Sequence, residues 1–113
     1  MSTPKPEPPA GPWAEIVPLG RVHEVACAVA AAHLRMLMGL ESRVTDSEPM
    51  PGIARMEVRG QYNAAAIIDY LARDLTPGVI RVGVTEADLC LPVFTHVFGE
   101  ARMEGGVAVS SLY

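Results

Sequence analysis

The stretch Val79-Ile80-Arg81-Val82-Gly83-Val84-Thr85 is the strongest indication of fold in this 113-residue chain. It is rich in β-branched residues and apolar at nearly every position, so a strand formed here would be hydrophobic on both faces. Strands of this kind lie in the middle of parallel sheets, where other elements cover both faces. Residues 79–85 are therefore predicted to form a central strand of an α/β sheet.

Two helices and several strands are predicted around this central strand. Asn63 can cap a helix that runs to Leu75, in which Ala64, Ile67, Ile68 and Leu71 form one apolar stripe. Another helix is predicted from Val22 to Met38, and Gly39 supplies its left-handed end. Further strands are predicted at Ala14–Leu19, Ser42–Thr45, Thr95–Ala101 and Val107–Tyr113. The chain is therefore predicted to be α/β, with a mixed, twisted sheet of about five strands backed by two helices.

The composition fits one globular domain behind a proline-rich leader. Half of the residues are hydrophobic and 19% are charged, which favours a packed core over disorder. Five of the first twelve residues are prolines, and proline fixes φ and removes a backbone donor. Residues 1–13 are predicted to be a disordered leader and residues 14–113 a single domain.

Charge and cysteine content exclude several classes of partner and location. A net charge of -4 and a pI near 5.2 lack the basic surface that nucleic acid requires. The uncharged stretch Val25–Leu34 is too short to span a bilayer, and no signal-peptide pattern opens the sequence. Cys27 and Cys90 are too few for a disulfide framework. We predict a cytoplasmic protein with neither nucleic acid nor membrane as partner.

Three stretches of the second half resemble the archaemetzincins, a branch of the metzincin zinc peptidases. The first is Arg59-Gly60-Gln61-Tyr62-Asn63, and the second is Gly83-Val84-Thr85-Glu86-Ala87-Asp88-Leu89. The third is Val97-Phe98-Gly99-Glu100-Ala101, followed by Gly105-Gly106-Val107-Ala108-Val109 and Ser111-Leu112-Tyr113. They occur in the family's order and spacing, whereas residues 14–58 match only in the order of elements. The resemblance implies the fold of the upper, N-terminal subdomain of a metzincin.

The resemblance also implies that the zinc site lies beyond Tyr113. In that family a helix with the motif His-Glu-x-x-His-x-x-Gly-x-x-His-Cys follows the Ser-Leu-Tyr strand, its histidines hold zinc, and its glutamate is the general base. The 113 residues contain no such motif. No catalytic residue, metal ligand or cofactor is therefore assigned to this chain, and zinc is expected only in intact family members. The predicted function is the N-terminal part of a zinc-dependent metallopeptidase, inactive alone.

One candidate binding site follows from the resemblance, an edge strand above the peptidase cleft. Its residues are Thr95, His96, Val97, Phe98, Gly99, Glu100 and Ala101. A peptide or protein substrate is the expected partner, because an extended peptide can pair with such a strand through main-chain hydrogen bonds. A plain edge strand without a ligand fits equally well. Asp88 is interpreted as a turn or hydrogen-bonding residue, and Gln61 and Tyr62 as packing at the helix entry.

The first predicted helix contains a near-copy of the zinc motif, His23-Glu24-Val25-Ala26-Cys27-Ala28-Val29-Ala30-Ala31-Ala32-His33. Cysteine can bind zinc, but Ala30 stands where the motif has its helix-breaking glycine. On a continuous helix, His23 and His33 would be separated by about 15 Å along the axis. We therefore predict no metal site at these residues.

Three functional interpretations are left open by the sequence. The first is a truncated metallopeptidase, the second a non-catalytic peptide-binding or interaction module, and the third a remnant gene product. The strand-like run Val107–Tyr113 ends the sequence, which predicts either a docked terminal strand or a continuation beyond it. The alanine-rich helix and the bare edge strand also predict self-association through uncovered surfaces.

Overall fold

A computed structural model of the chain describes residues 13–56, 60–90, 99–102 and 106–112, with 99–102 described as backbone only. A short 3-10 helix, Gly52–Ala54, precedes the third strand. In chain order the other elements are β1 (Trp13–Leu19), α1 (Glu24–Met38), β2 (Glu41–Val44), β3 (Arg55–Met56), β4 (Gln61–Asn63), α2 (Ala64–Leu71), β5 (Val79–Thr85), β6 (Leu89–Cys90), β7 (Gly99–Arg102) and β8 (Val107–Ser111).

The main sheet has five strands in the order β2-β1-β5-β8-β7. The first four are parallel, and β7 runs antiparallel to β8. The strand predicted at residues 79–85 is β5, and it lies at the middle of the sheet. The predicted fold, a mixed α/β sheet of about five strands with two helices, is confirmed.

The two helices cover opposite faces of this sheet. Val17 and Leu19 of β1 belong to the core under α2, together with Val107 and Val109 of β8. The intervening Ile16 packs on the other face, against Cys27 of α1. Because successive side chains of a strand point to opposite faces, β1 contributes to both cores. This arrangement explains the nearly continuous apolar character of the central strands.

Helix α2 begins as predicted and ends earlier than predicted. The Asn63 side chain accepts hydrogen bonds from the backbone N–H groups of Ala65 (2.9 Å) and Ala66 (3.3 Å), as an N-cap does. The helix ends at Leu71, where the prediction extended to Leu75. Asp74 has a φ of 54°, which a continuing right-handed helix does not permit.

Helix α1 has an unusual cap at its start and an apolar surface on its outer side. The His23 ring nitrogen Nδ1 accepts from the Val25 backbone N–H at 3.1 Å, so the helix starts at Glu24 and not at Val22. Gly39 ends it with a φ of 66°, as predicted. We call Val25, Ala28, Val29, Ala32 and Met36 the outward face of α1, because these residues are exposed and lie on the side of the helix away from the sheet.

A second, small sheet lies beside α2. It has the strand order β3-β4-β6, with Met56 paired to Gln61 and Tyr62 paired to Leu89. This sheet was not predicted from the sequence, because strands of two or three residues are too short to show alternation. In the described part of the chain, no helix has the length and hydropathy needed to cross a membrane.

Candidate functional site

The three motif stretches meet at the carboxyl end of β5. The Gln61 side-chain amide donates to Asp88 Oδ2 at 3.0 Å, and the Tyr62 backbone N–H donates to the Asp88 carbonyl at 2.9 Å. These bonds join the first stretch to the second. The hydrogen-bonding role predicted for Asp88 is confirmed, and so is the position of Gln61 and Tyr62 at the entry to α2.

The third stretch joins the same junction through the end of β8. The Ser111 hydroxyl donates to the Ala87 carbonyl, and the Leu112 backbone N–H donates to the Thr85 carbonyl at 2.9 Å. Thr85 Oγ1 in turn accepts from the Ala87 N–H at 3.1 Å. Because Thr85, Gln61 and Ser111 are all buried, the junction fixes the direction in which the chain leaves β8.

The predicted substrate strand lies partly within the described residues. Gly99, Glu100 and Ala101 belong to β7, whose backbone pairs with β8 in the register Gly99 to Ser110 and Ala101 to Ala108. Thr95, His96, Val97 and Phe98 lie outside the described residues. Among the described strands, β7 is one of the two outermost strands of the main sheet, so its second backbone edge has no strand partner there. An extended peptide can pair with an edge of this kind.

The near-copy of the zinc motif lies on a helix that is continuous through Ala30. His23 caps one end of α1 and donates its backbone N–H to Glu86 Oε2 at 2.9 Å, whereas His33 is exposed in the second half of the helix. Cys27 is buried on the sheet side, and burial raises the pKa of its thiol, which disfavours the thiolate that zinc requires. Within the described residues, no group of three or more potential ligands could hold a metal ion.

A polar cavity of about 290 Å³ lies at the end of α2 and was not predicted from the sequence. It is lined by Glu48, Tyr70, Leu71, Arg73, Asp74 and Arg81. The Tyr70 hydroxyl donates to Glu48 Oε1 at 2.6 Å, and Arg81 Nη1 donates to the carbonyls of Leu71 (2.8 Å) and Arg73 (3.1 Å). Arg81 is the one charged residue in the otherwise apolar strand β5, and this is the feature of the sequence that indicates such a site.

Replacing Tyr70 with phenylalanine is expected to lower the free energy of unfolding by about 1 kcal/mol at neutral pH, through loss of the bond to Glu48. That bond is the main cause of the raised pKa of Tyr70, followed by burial and by the charge of Glu48. A raised pKa in the folded state stabilises the fold below the unfolded value, near pH 10, and this contribution is lost as the pH rises through the folded value.

Denaturant unfolding of the wild type and of Tyr70→Phe at neutral and alkaline pH tests this expectation. The wild type should lose more stability than the variant once the pH exceeds about 10. Glu48→Gln keeps a weaker acceptor in place and should show a smaller loss at neutral pH. Equal alkaline losses in the wild type and in Tyr70→Phe would contradict this assignment.

Solved structures of archaemetzincins share this fold. The crystal structure of archaemetzincin from Archaeoglobus fulgidus complexed with malonate superposes with a TM-score of 0.72 at 27% identity, over 88% of this chain and 60% of that one. Archaemetzincin from Methanopyrus kandleri gives a TM-score of 0.72 at 30% identity, over 92% of this chain and 60% of that one. The fold of the described residues is therefore that of archaemetzincins.

The sequence comparison agrees with the structural one. The chain is 34% identical to the archaemetzincin of Halobacterium salinarum over 99 residues, which are 88% of this chain and 57% of that protein. It is 44% identical to the archaemetzincin of Methanopyrus kandleri over 64 residues, 56% of this chain and 36% of that protein. No family model matches the sequence. The chain thus spans a little over half the length of the first of these relatives.

Proposed function

Because this chain is homologous to archaemetzincins over most of its own length, we propose that it forms the sheet-and-helix part of a zinc-dependent metallopeptidase. The observation that supports this most directly is the junction at Thr85, Ala87 and Asp88. Residues from all three resembling stretches are hydrogen-bonded there, so the stretches that carry the likeness form one connected unit in this chain. In intact relatives the proposed reaction is hydrolysis of peptide bonds.

The residues described in this chain do not fit a catalytic zinc site. A catalytic zinc needs three protein ligands that converge on one point. His23, Cys27 and His33 are spread along a continuous helix, and the Nδ1 of His23 is engaged as the helix cap. We therefore assign this chain structural and peptide-binding roles and derive no catalytic step from its own residues. The two free, buried cysteines also suit the reducing cytoplasm proposed as its location.

The described residues leave part of one face of the main sheet uncovered. On the α2 side of β8, Val107, Val109 and Ser111 are buried. On the α1 side, Ala108 is half-buried and Ser110 is exposed, so the described residues leave that face of β8 open. A zinc-binding helix following Ser111-Leu112-Tyr113, as the family resemblance implies, can pack there beside α1.

A chimera tests this function. The C-terminal part of the Halobacterium salinarum relative, beyond the part that matches this chain, would be joined after Tyr113. We expect the chimera to retain one zinc per chain after dialysis and to cleave a peptide library in a chelator-sensitive manner. The 113-residue chain alone should do neither, since water without a bound metal keeps its high pKa.

A matched control replaces the glutamate of the grafted His-Glu-x-x-His motif with glutamine. That variant should keep the zinc and lose cleavage, because the general base is removed while the ligands remain. Circular dichroism and thermal unfolding would establish that both chimeras are folded. Chelator-sensitive cleavage by the 113-residue chain alone, or a folded chimera that holds no zinc, would contradict the proposal.

A second function, a non-catalytic peptide-binding module, is favoured by the outermost position of β7. A peptide added along β7 would use alternate backbone amides. Methylating one alternating set of peptide amides should then abolish binding to the 113-residue chain, whereas methylating the other set should not. Amide shifts during titration measure both cases. Equal binding of the two peptides, or shifts that do not involve 99–102, would exclude strand addition.

A further inference from the structure

We propose that the outward face of α1 binds a second copy of this chain, through an antiparallel pair of α1 helices. The first observation is the apolar character of that face. Val25 is 60% exposed, Val29 47% and Met36 79%. The helical positions 25, 29, 32 and 36 fall on one line along the helix, directly opposite Cys27 and Leu34, which pack on the sheet.

A helix at a protein surface normally has polar residues along the side away from its core. On α1 that side holds valine, alanine and methionine, and no described element covers it. Contiguous exposed apolar surface of this kind marks interaction sites. The side of α1 that points away from the sheet is therefore apolar where a solvent-exposed helix would be polar.

The charges on α1 identify the partner as a second copy and fix its direction. Glu24 and Arg35 are the only charged residues within α1, and helical geometry places both on the same flank of the outward face, at opposite ends. When two antiparallel copies are related by a twofold axis, the same flanks face each other. Glu24 of each copy then lies near Arg35 of the other. In a parallel pair these flanks would lie on opposite sides of the interface, so Glu24 and Arg35 of the two copies would not meet.

The apolar positions agree with the same antiparallel register. With Val29 opposite Ala32 of the second copy, Val25 lies opposite Met36, so larger side chains meet smaller or flexible ones. Glu24 and Arg35 are then offset by about 3 Å along the axis, which their long side chains can span. Ala28 and Ala32 leave space for close approach of the two helices.

A groove lies on the same flank of α1. It has a volume of about 310 Å³ and is lined by Ala31, Ala32, Arg35, Met36, Glu41 and Ser42. In the proposed register this groove borders the flank on which Arg35 meets Glu24 of the second copy. The Arg35 side chain also forms an exposed ion pair with Glu41, 3.7 Å between Nε and Oε1, which is weak enough to be shared with the partner.

The pair is expected to be weak. Two helices of 15 residues bury less than the roughly 1,200–2,000 Å² of a stable interface. Exposed ion pairs contribute little to affinity, so the apolar residues supply the binding and the charges select the direction. We therefore expect association that depends on concentration in the micromolar to millimolar range.

Sedimentation of the 113-residue chain over that range tests the surface. The wild type should shift from monomer to dimer, and Val29→Glu and Met36→Glu should each weaken association at least about tenfold, since a buried unpaired charge is costly. Ile53→Glu is the matched control, because Ile53 is equally apolar and 87% exposed but lies outside α1. Circular dichroism would confirm that these surface variants are folded.

Charge exchange tests the direction of pairing. Glu24→Arg alone and Arg35→Glu alone should weaken the dimer, and the double variant should restore it, because both intermolecular pairs are re-formed with exchanged signs. In a parallel pair the single changes would not weaken association. A wild type that stays monomeric at millimolar concentration, or association that Val29→Glu leaves unchanged, would overturn the proposal. Either result would assign this face to another segment or leave it to solvent.

Discussion

Leu71→Ala is expected to lower the free energy of unfolding by about 2–5 kcal/mol, among the largest effects of any single change in this chain. Leu71 is 1% exposed and is the last residue of α2, where it packs into the core formed with β1 and β8. Its terminal methyl lies directly above Gly83 of the central strand. Truncation would leave a cavity in the main core.

The contact between Leu71 and Gly83 allows a sharper test than the single change. A Cβ atom added to Gly83 would lie 2.7 Å from Leu71 Cδ1 and 3.0 Å from Leu19 Cδ1, closer than packed atoms approach. Gly83→Ala alone should therefore cost about 1–3 kcal/mol. In the double variant the new methyl group occupies space vacated by Leu71, so the combined loss should be smaller than the sum.

Denaturant unfolding of the four proteins in this cycle measures the coupling between the two positions. The expected coupling is about 0.5–3 kcal/mol in favour of the double variant. Leu40→Ala is the control partner for Gly83→Ala, because Leu40 is buried just after α1 and is not among the nearest neighbours of Gly83. That combination should be additive. Additivity of the Leu71 and Gly83 changes would contradict the contact.

Arg81→Met is expected to lower the free energy of unfolding by about 2 kcal/mol. The single nitrogen Nη1 holds the carbonyls of Leu71 and Arg73, which the end of α2 leaves without helical partners. The Nε of Arg81 also lies 3.6 Å from Glu15 Oε2, and the two side chains of this ion pair are 19% and 23% exposed. Methionine keeps the apolar stem and removes the donors and the charge, so the loss reports the hydrogen bonds and the ion pair and not the packing.

Thermal or denaturant unfolding checks this expectation against two further variants. Arg73→Met removes an exposed guanidinium from the same cavity and should change stability by less than about 0.5 kcal/mol. Arg81→Lys keeps the charge and one donor group and should recover part of the loss. If Arg73→Met were as destabilising as Arg81→Met, the cavity's charge would matter more than the capping of α2.

The elements that were predicted correctly are those whose formation depends on residues within the element itself. β5 was recognisable because six of its seven residues are apolar or β-branched. The ends of α1 and α2 at Gly39 and Asn63 follow from the chemistry of those residues alone. Where the prediction was wrong, the end of the element depends on a residue that is distant in sequence. Helix α2 stops at Leu71 and not at Leu75, and the carbonyls at that end are held by Arg81 from a neighbouring strand.

In the candidate site, too, features that depend on neighbouring residues were predicted and contacts between distant residues were not. The likeness of three short stretches was enough to predict the hydrogen-bonding role of Asp88 and the entry position of Gln61. It could not reveal that the stretches touch, because β4 and β6 pair across a separation in sequence that includes all of α2 and β5. The cap formed by His23 was missed because histidine is not among the usual N-cap residues. The binding role of residues 95–101 stays a prediction.

The order of strands in the main sheet has a consequence for how this chain is made. β1 is among the first elements to leave the ribosome, and it pairs along its whole length with β5, from Trp13 with Val79 to Leu19 with Thr85. At translation rates of about 5–20 residues per second, β1 waits roughly 3–13 s for that partner. Among the described strands, only the short β2 can pair with β1 earlier. The nascent chain therefore contains, for several seconds, an apolar strand that lacks its partner on one side. A chaperone can bind the strand during that interval.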